Sequence, residues 1–183
     1  MIPFLDLRRI NQRFDKEFLE ATQQVFESGW YLLGSKVSTF EKNFADYCGV
    51  KHCIGVANGL DALIIILEAY KVLGKIQAGD EVIVPANTYI ATVMAITRCG
   101  LIPLFVEPEA STMLISNAEI VKKISKKTKV IMPVHLYGQI CEMDGIWKIA
   151  SEHNLFIIED SAQSHGAYSV SYTHLTLPTK RIV

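Results

Sequence analysis

The sequence predicts an α/β fold, a mostly parallel sheet with helices on both faces, and three observations carry that prediction. Short, largely apolar runs at residues 53–57, 81–85, 102–106, 130–134 and 155–159 suit strands buried on both sides. Between most of them lie segments of helical period, at residues 61–73, 88–98, 117–125 and 142–152. Gly74, Gly79-Asp80, Pro85, Pro108 and Gly138 punctuate the joints with residues that favour turns. No repeat or low-complexity linker interrupts the run, so one α/β domain is expected over residues 1–168.

Taken in order, the chain opens with an amphipathic helix through Glu27. Phe14, Phe18, Leu19, Thr22, Val25 and Phe26 fall near a 3.6 period. The stretch Gly29-Trp30-Tyr31-Leu32-Leu33-Gly34 breaks it, and a second helix follows over 37–47 with Val37, Phe40, Phe44 and Tyr47 on its apolar side. The run at 53–57 enters a tight Asn58-Gly59 turn and then a strong helix. The run at 81–85 ends at Pro85, with Asn87 or Thr88 as the expected N-cap of the next helix and Tyr89 at its start. The helix at 117–125 presents Lys122-Lys123 beside an apolar stripe, with Lys126-Lys127 just after it, which reads as a solvated face. The last two runs lead into His135 and into Asp160.

Composition removes several function classes. Lys and Arg total 18 against 19 Asp and Glu, so no bulk charge favours nucleic acid or an anionic membrane. Half of the residues are hydrophobic and a fifth are charged, as in ordinary soluble proteins. Cys48, Cys53, Cys99 and Cys141 form no CxxC pair and match neither zinc-site nor disulfide-scaffold spacing; thiols in a reducing compartment, and no metal site, are expected. The N-terminus lacks a signal-like apolar core, and the longest aliphatic stretch, 62–67, is far short of a membrane span. A cytoplasmic protein is the expectation.

Ligands of open α/β sheets bind at the carboxyl ends of the strands, and the chemistry-bearing residues collect there. Gly59 and Leu60 open a helix whose free N–H groups and positive dipole end suit a phosphate. Tyr89 follows a strand end, and the run Ile157-Ile158-Glu159-Asp160-Ser161-Ala162-Gln163-Ser164-His165-Gly166-Ala167 presents an acid, an amide and an imidazole. Each alone reads first as structure: Asn-Gly as a turn, the aromatic as packing, the lone aspartate as a helix cap. His135 and His165 read as structural or supporting groups. No G-x-G-x-x-G follows a strand and no G-K-[ST] is present, which argues against a nicotinamide enzyme and removes a P-loop.

In order and spacing, these motifs together resemble the DegT/DnrJ/EryC1/StrS family of sugar aminotransferases. The resemblance extends over about residues 1–168 and includes Pro3-Phe4-Leu5-Asp6-Leu7 and Ser28-Gly29-Trp30-Tyr31-Leu32-Leu33-Gly34. Within the family, the Asn58 and Pro85 motifs look most like those of the 3-aminotransferases of dTDP-3-keto-6-deoxyhexoses. The resemblance implies the large domain of a fold-type I transferase, truncated, with pyridoxal 5'-phosphate as cofactor. It implies that Gly59 and Leu60 hold the phosphate through backbone N–H groups, the family commonly having Thr where this chain has Leu60. It implies that Tyr89 stacks on the pyridine ring, Asp160 keeps the ring nitrogen protonated and Gln163 bonds the ring hydroxyl. The implied substrates are a dTDP-linked keto-deoxysugar and L-glutamate, and the implied assembly is a homodimer. Two other readings share the scaffold: a sugar dehydratase with histidine in place of the lysine, and a non-catalytic binding or regulatory protein.

The family's Schiff-base lysine sits in a segment like S-F-x-x-x-K-x-x-G, farther past the aspartate than this chain's Lys180. The Leu177-Pro178-Thr179-Lys180 stretch lacks the Ser-Phe lead and the glycines. Residues 169–183 contain no acid and no glycine and resemble a translated sequencing adapter. They are expected to be foreign to the domain, leaving an N-terminal fragment without its catalytic lysine and without activity of its own.

Overall fold

The computed structural model describes residues 4–167, which fall into two compact units divided between Gly55 and Val56. In the first unit, α1 (Leu7–Asn11) leads through a 3-10 turn at Gln12–Phe14 into α2 (Asp15–Ser28), and α3 (Ser35–Cys48) follows. The amphipathic period expected near the N-terminus corresponds to α2. Short α1 escaped the sequence reading because a cap makes it, not a stripe: the Asp6 carboxylate accepts the Arg9 N–H at 3.0 Å. Both α2 and α3 end on a glycine in the left-handed region, Gly29 at φ 65° and Gly49 at φ 63°, where a Cβ would be strained.

One expected strand is corrected. Residues 53–57 form no strand; Ile54 is 76% exposed. A strand is held by its ladder, and no described strand pairs with this segment. The Gly55 N–H instead donates to Glu41 Oε1 at 2.8 Å.

The second unit is the α/β body. It runs α4 (Gly59–Val72), β1 (Glu81–Pro85), α5 (Ile90–Arg98), β2 (Ile102–Val106), α6 (Asn117–Lys123), β3 (Thr128–Ile131), α7 (Met143–His153) and β4 (Phe156–Ile157). The sheet order is β2-β1-β3-β4 and every pairing is parallel, with Ile83 opposite Leu104 and Val130 opposite Phe156. Alternation along the strands splits the core in two. Val82, Val84, Val130, Met132 and Ile158 pack with Leu63 and Leu67 of α4 and Ala95 and Ile96 of α5. Ile83 and Ile131 point the other way, toward Ile120 of α6 and Ile146 and Ile149 of α7. Each such side chain, fully buried, contributes about 2 kcal/mol, so the two layers hold the sheet from both faces.

The last two strands are shorter than their apolar runs. Pro133 has no N–H, so the regular ladder of β3 stops before it, and pairing resumes only as a bridge between Val134 and Asp160. The start of α5 also differs from expectation. Its N-cap is Tyr89, extended at φ −67° and ψ 144°, with no side-chain cap. Asn87 and Thr88 are engaged elsewhere: the Asn87 amide donates to the Met113 carbonyl at 2.8 Å, and the Thr88 hydroxyl meets the Thr92 hydroxyl at 2.9 Å.

Candidate active site

The site residues all lie in the second unit, at the carboxyl edge of its sheet or at the opening turn of α4. At α4, Asn58 Oδ1 accepts the Asp61 N–H at 2.9 Å and the Asn58 carbonyl accepts that of Ala62 at 3.1 Å. That leaves the N–H groups of Gly59 and Leu60 without a hydrogen bond among the described residues, as the first turn of a helix does. A Cβ added at Gly59 would meet nothing within 4 Å, so the space over this turn is open. The turn is a cradle of two unpaired donors at the positive end of a 14-residue helix.

Asp160 is fixed from four directions. Its N–H donates to the Pro133 carbonyl at 3.0 Å and its carbonyl accepts the His135 N–H at 3.0 Å, tying it to the chain that continues β3. Its carboxylate takes one donor on each oxygen: the Ala162 N–H on Oδ1 at 3.2 Å and the Thr92 hydroxyl on Oδ2 at 2.9 Å. No helix follows, so Asp160 caps none; the described chain after it is a pair of turns.

Thr92, wholly buried in α5, also donates its backbone N–H to the Tyr89 carbonyl at 3.1 Å. Thr92 thus bonds both Asp160 and the backbone of Tyr89, a residue 71% exposed. Gln163 Oε1 accepts the Tyr137 N–H at 2.8 Å, which leaves the two N–H bonds of its amide as donors. Tyr137 itself stands at φ 60°, in the left-handed region uncommon for a bulky residue, immediately before Gly138 at φ 78°.

His135 and Glu159 lie beneath this surface. His135 Nδ1 accepts the Cys141 N–H at 3.2 Å, so the ring proton resides on Nε2 and points to Glu159 Oε2 at 2.9 Å. His165 is exposed. Burial pushes the Cys141 thiol up to about 12 and the Cys99 thiol up to about 11, so neither is a ready nucleophile.

Thr92 thus links Asp160 to the backbone of Tyr89, whereas Gln163 is bonded to Tyr137, and among the described residues Gly59 and Leu60 join neither group through a hydrogen bond. Lys180, Tyr168 and the segment 169–183 lie outside the described residues, as does Pro3. Thr92, Tyr137 and Glu159 were missed as supporting groups. A threonine on the apolar stripe of a helix was the one available signal, since a buried hydroxyl needs a partner.

A model of the DegT/DnrJ/EryC1/StrS aminotransferase family matches residues 12–171. The chain belongs to this family. Among curated relatives it is 57% identical over 167 residues to the dTDP-3-amino-3,6-dideoxy-alpha-D-galactopyranose transaminase of Aneurinibacillus thermoaerophilus, covering 91% of this chain and 45% of that protein. The crystal structure of DesV from S. venezuelae, in complex with a ketimine intermediate, superposes with a TM-score of 0.85 at 42% identity, covering 90% of this chain and 43% of that one. The structure of ntda from Bacillus subtilis with bound cofactor PMP gives a TM-score of 0.85 at 33% identity, over 93% of this chain and 38% of that one. The chain spans less than half the length of these DegT/DnrJ/EryC1/StrS relatives. Among its described residues no helix is long and apolar enough to cross a membrane.

Proposed function

We propose that this chain forms the cofactor-holding part of a pyridoxal-phosphate-dependent aminotransferase. Its substrates in the whole protein are a dTDP-linked keto-deoxysugar and L-glutamate as amino donor, and the whole protein works as a homodimer. The observation that carries the reading is the Asp160 carboxylate, anchored by backbone and side chain at the carboxyl edge of a parallel sheet and linked through Thr92 to the backbone of the exposed Tyr89. The open cradle at Gly59 supports it. The 57% identity to a dTDP-sugar transaminase supports the sugar class. On this reading residues 1–168 belong to one large domain.

The donor set fits the cofactor. Gly59 and Leu60 would bind a phosphate through backbone N–H groups. Asp160, an acceptor with both oxygens already oriented, would keep a proton on a ring nitrogen. Gln163 would donate its amide N–H to the ring oxygen, and Tyr89 would lay its face on the ring. Bound pyridoxal phosphate would supply an electron sink for the pair left when a C–H bond beside the transferred nitrogen breaks. The lysine that such chemistry requires is unassigned, Lys180 being foreign to the family pattern.

The amine form, pyridoxamine phosphate, needs no lysine to bind, so it tests the site made by these residues alone. Equilibrium dialysis should show saturable binding to the 183-residue chain. Asp160→Ala should weaken it about tenfold, the worth of one hydrogen bond to a charged group. A chain that folds yet takes up no pyridoxamine phosphate would sink the reading.

A further inference from the structure

We infer that Thr92 is a positioning residue that orients the Asp160 carboxylate, with Thr88 donating the hydrogen bond that the Thr92 hydroxyl oxygen accepts. The inference rests on the cofactor reading above and deepens it.

The direction of the hydrogen bonds follows from donor counting. An ionised carboxylate only accepts, so the single hydroxyl proton of Thr92 goes to Asp160 Oδ2, at 2.9 Å. With its proton committed, Thr92 Oγ1 can only accept from Thr88 Oγ1, at 2.9 Å. The chain Thr88→Thr92→Asp160 therefore has one polarity while Asp160 is charged. A hydroxyl polarised by a second donor is a stronger donor itself.

Three features make this more than a helix hydroxyl finding a local acceptor. Thr92 is wholly buried, yet its hydroxyl reaches Asp160, 68 positions away in the chain, and not the carbonyl one turn back. By contrast Thr22, Thr39 and Thr97 bond carbonyls within their own helices. The same residue holds Tyr89 through its backbone, the Thr92 N–H to Tyr89 carbonyl bond being 3.1 Å. One residue thus bonds the carboxylate of Asp160 and the backbone of Tyr89, the two residues proposed to touch the ring. The remaining Asp160 oxygen is taken by the Ala162 N–H. Without Thr92 the carboxylate would keep one of its two orienting donors and could turn about χ2, a soft torsion.

The test must separate positioning from general stability. Two probes suffice: pyridoxamine phosphate, and its analogue in which the ring nitrogen is replaced by carbon. Their affinity ratio for the 183-residue chain reads the contact at the ring nitrogen, because phosphate and stacking contributions cancel. Wild type should prefer the nitrogen-bearing probe. Thr92→Val, which keeps the shape and removes the hydroxyl, should cut that preference about tenfold, and Thr92→Ser should restore it. Thr88→Ala should cut it less, in the same direction. If Thr92→Val loses cooperative melting, Thr88→Ala carries the decision: a preference equal to wild type overturns the relay.

A purely structural Thr92 would lower the melting temperature and leave the ratio untouched, which overturns the proposal. Wild type that binds neither probe, or both equally, refutes the cofactor reading itself and this inference with it. Preference present in wild type and unchanged in folded Thr92→Val refutes the positioning role alone.

Discussion

His135 Nε2 donates to Glu159 Oε2 at 2.9 Å, and both residues are buried, His135 to 2% exposure. The pair joins the segment after β3 to the segment after β4. Removing the imidazole takes one donor away from the buried Glu159 side chain. His135→Ala should therefore lower unfolding stability by about 3 kcal/mol, whereas Glu159→Gln, which keeps an acceptor, should cost about 1 kcal/mol. Urea midpoints measure both. A His135→Ala chain within about 0.5 kcal/mol of wild type would show the pair to be incidental.

Gly59 offers a substitution that separates ligand from fold. Its φ lies outside the left-handed region and a Cβ there meets open space, so Gly59→Ala should melt at or above the wild-type temperature. The added methyl sits where a phosphate would approach the two backbone donors. Affinity for pyridoxamine phosphate should drop about tenfold, comparable to losing a charge-assisted bond. Unchanged affinity in dialysis would remove this turn from the site.

Gln163 faces two demands that only an amide meets. Its oxygen takes the Tyr137 N–H, and its nitrogen would serve the ring oxygen. Gln163→Glu preserves the first and abolishes the second, so melting should hold while pyridoxamine phosphate binds about tenfold more weakly. Gln163→Ala should lower both. A Gln163→Glu chain with wild-type affinity would leave Gln163 a loop anchor only.

The buried thiols predict an alkaline limit. Cys141 and Cys99 have folded values raised by burial to about 12 and about 11, above the ordinary 9.0. The unfolded chain sheds these protons first, so the stability they protect is whole below about pH 9 and declines as pH rises toward the folded values. Urea midpoints from pH 8 upward should fall more steeply for wild type than for Cys99→Ala/Cys141→Ala, each series referred to its own neutral value; parallel curves would contradict this (pH as set, about one-unit steps). Alkylation at about pH 8 should likewise spare both thiols until urea is added.

Much of this architecture was legible beforehand. The limits of β1 and β2 match the expected runs, and α2 to α7 fall within a few residues of their expected spans, because burial on both sheet faces and one helix face writes a period into the chain. The run at 53–57 has the same apolar character as β1, yet it is no strand. A run specifies willingness to pair, and pairing needs a second strand. The site divides likewise. Asp160, Gln163 and Tyr89 were visible from their places after strand ends, and Gly59 from the turn that opens a helix. Nothing local marked Tyr137 as the donor that orients Gln163.

By itself, the sequence determined which segments bury which faces, that the strands run parallel, which acid, amide and aromatic stand at the sheet's carboxyl edge, and which glycine opens a helix. Those properties follow from local period, turn chemistry and residue type. Only the tertiary structure decided which of these groups are joined. Thr92 meets Asp160 across 68 positions, and His135 meets Glu159 across 24. Such bonds depend on how neighbouring strands and helices come to rest, and a hydrogen bond exists only where donor and acceptor arrive within about 3 Å and in line.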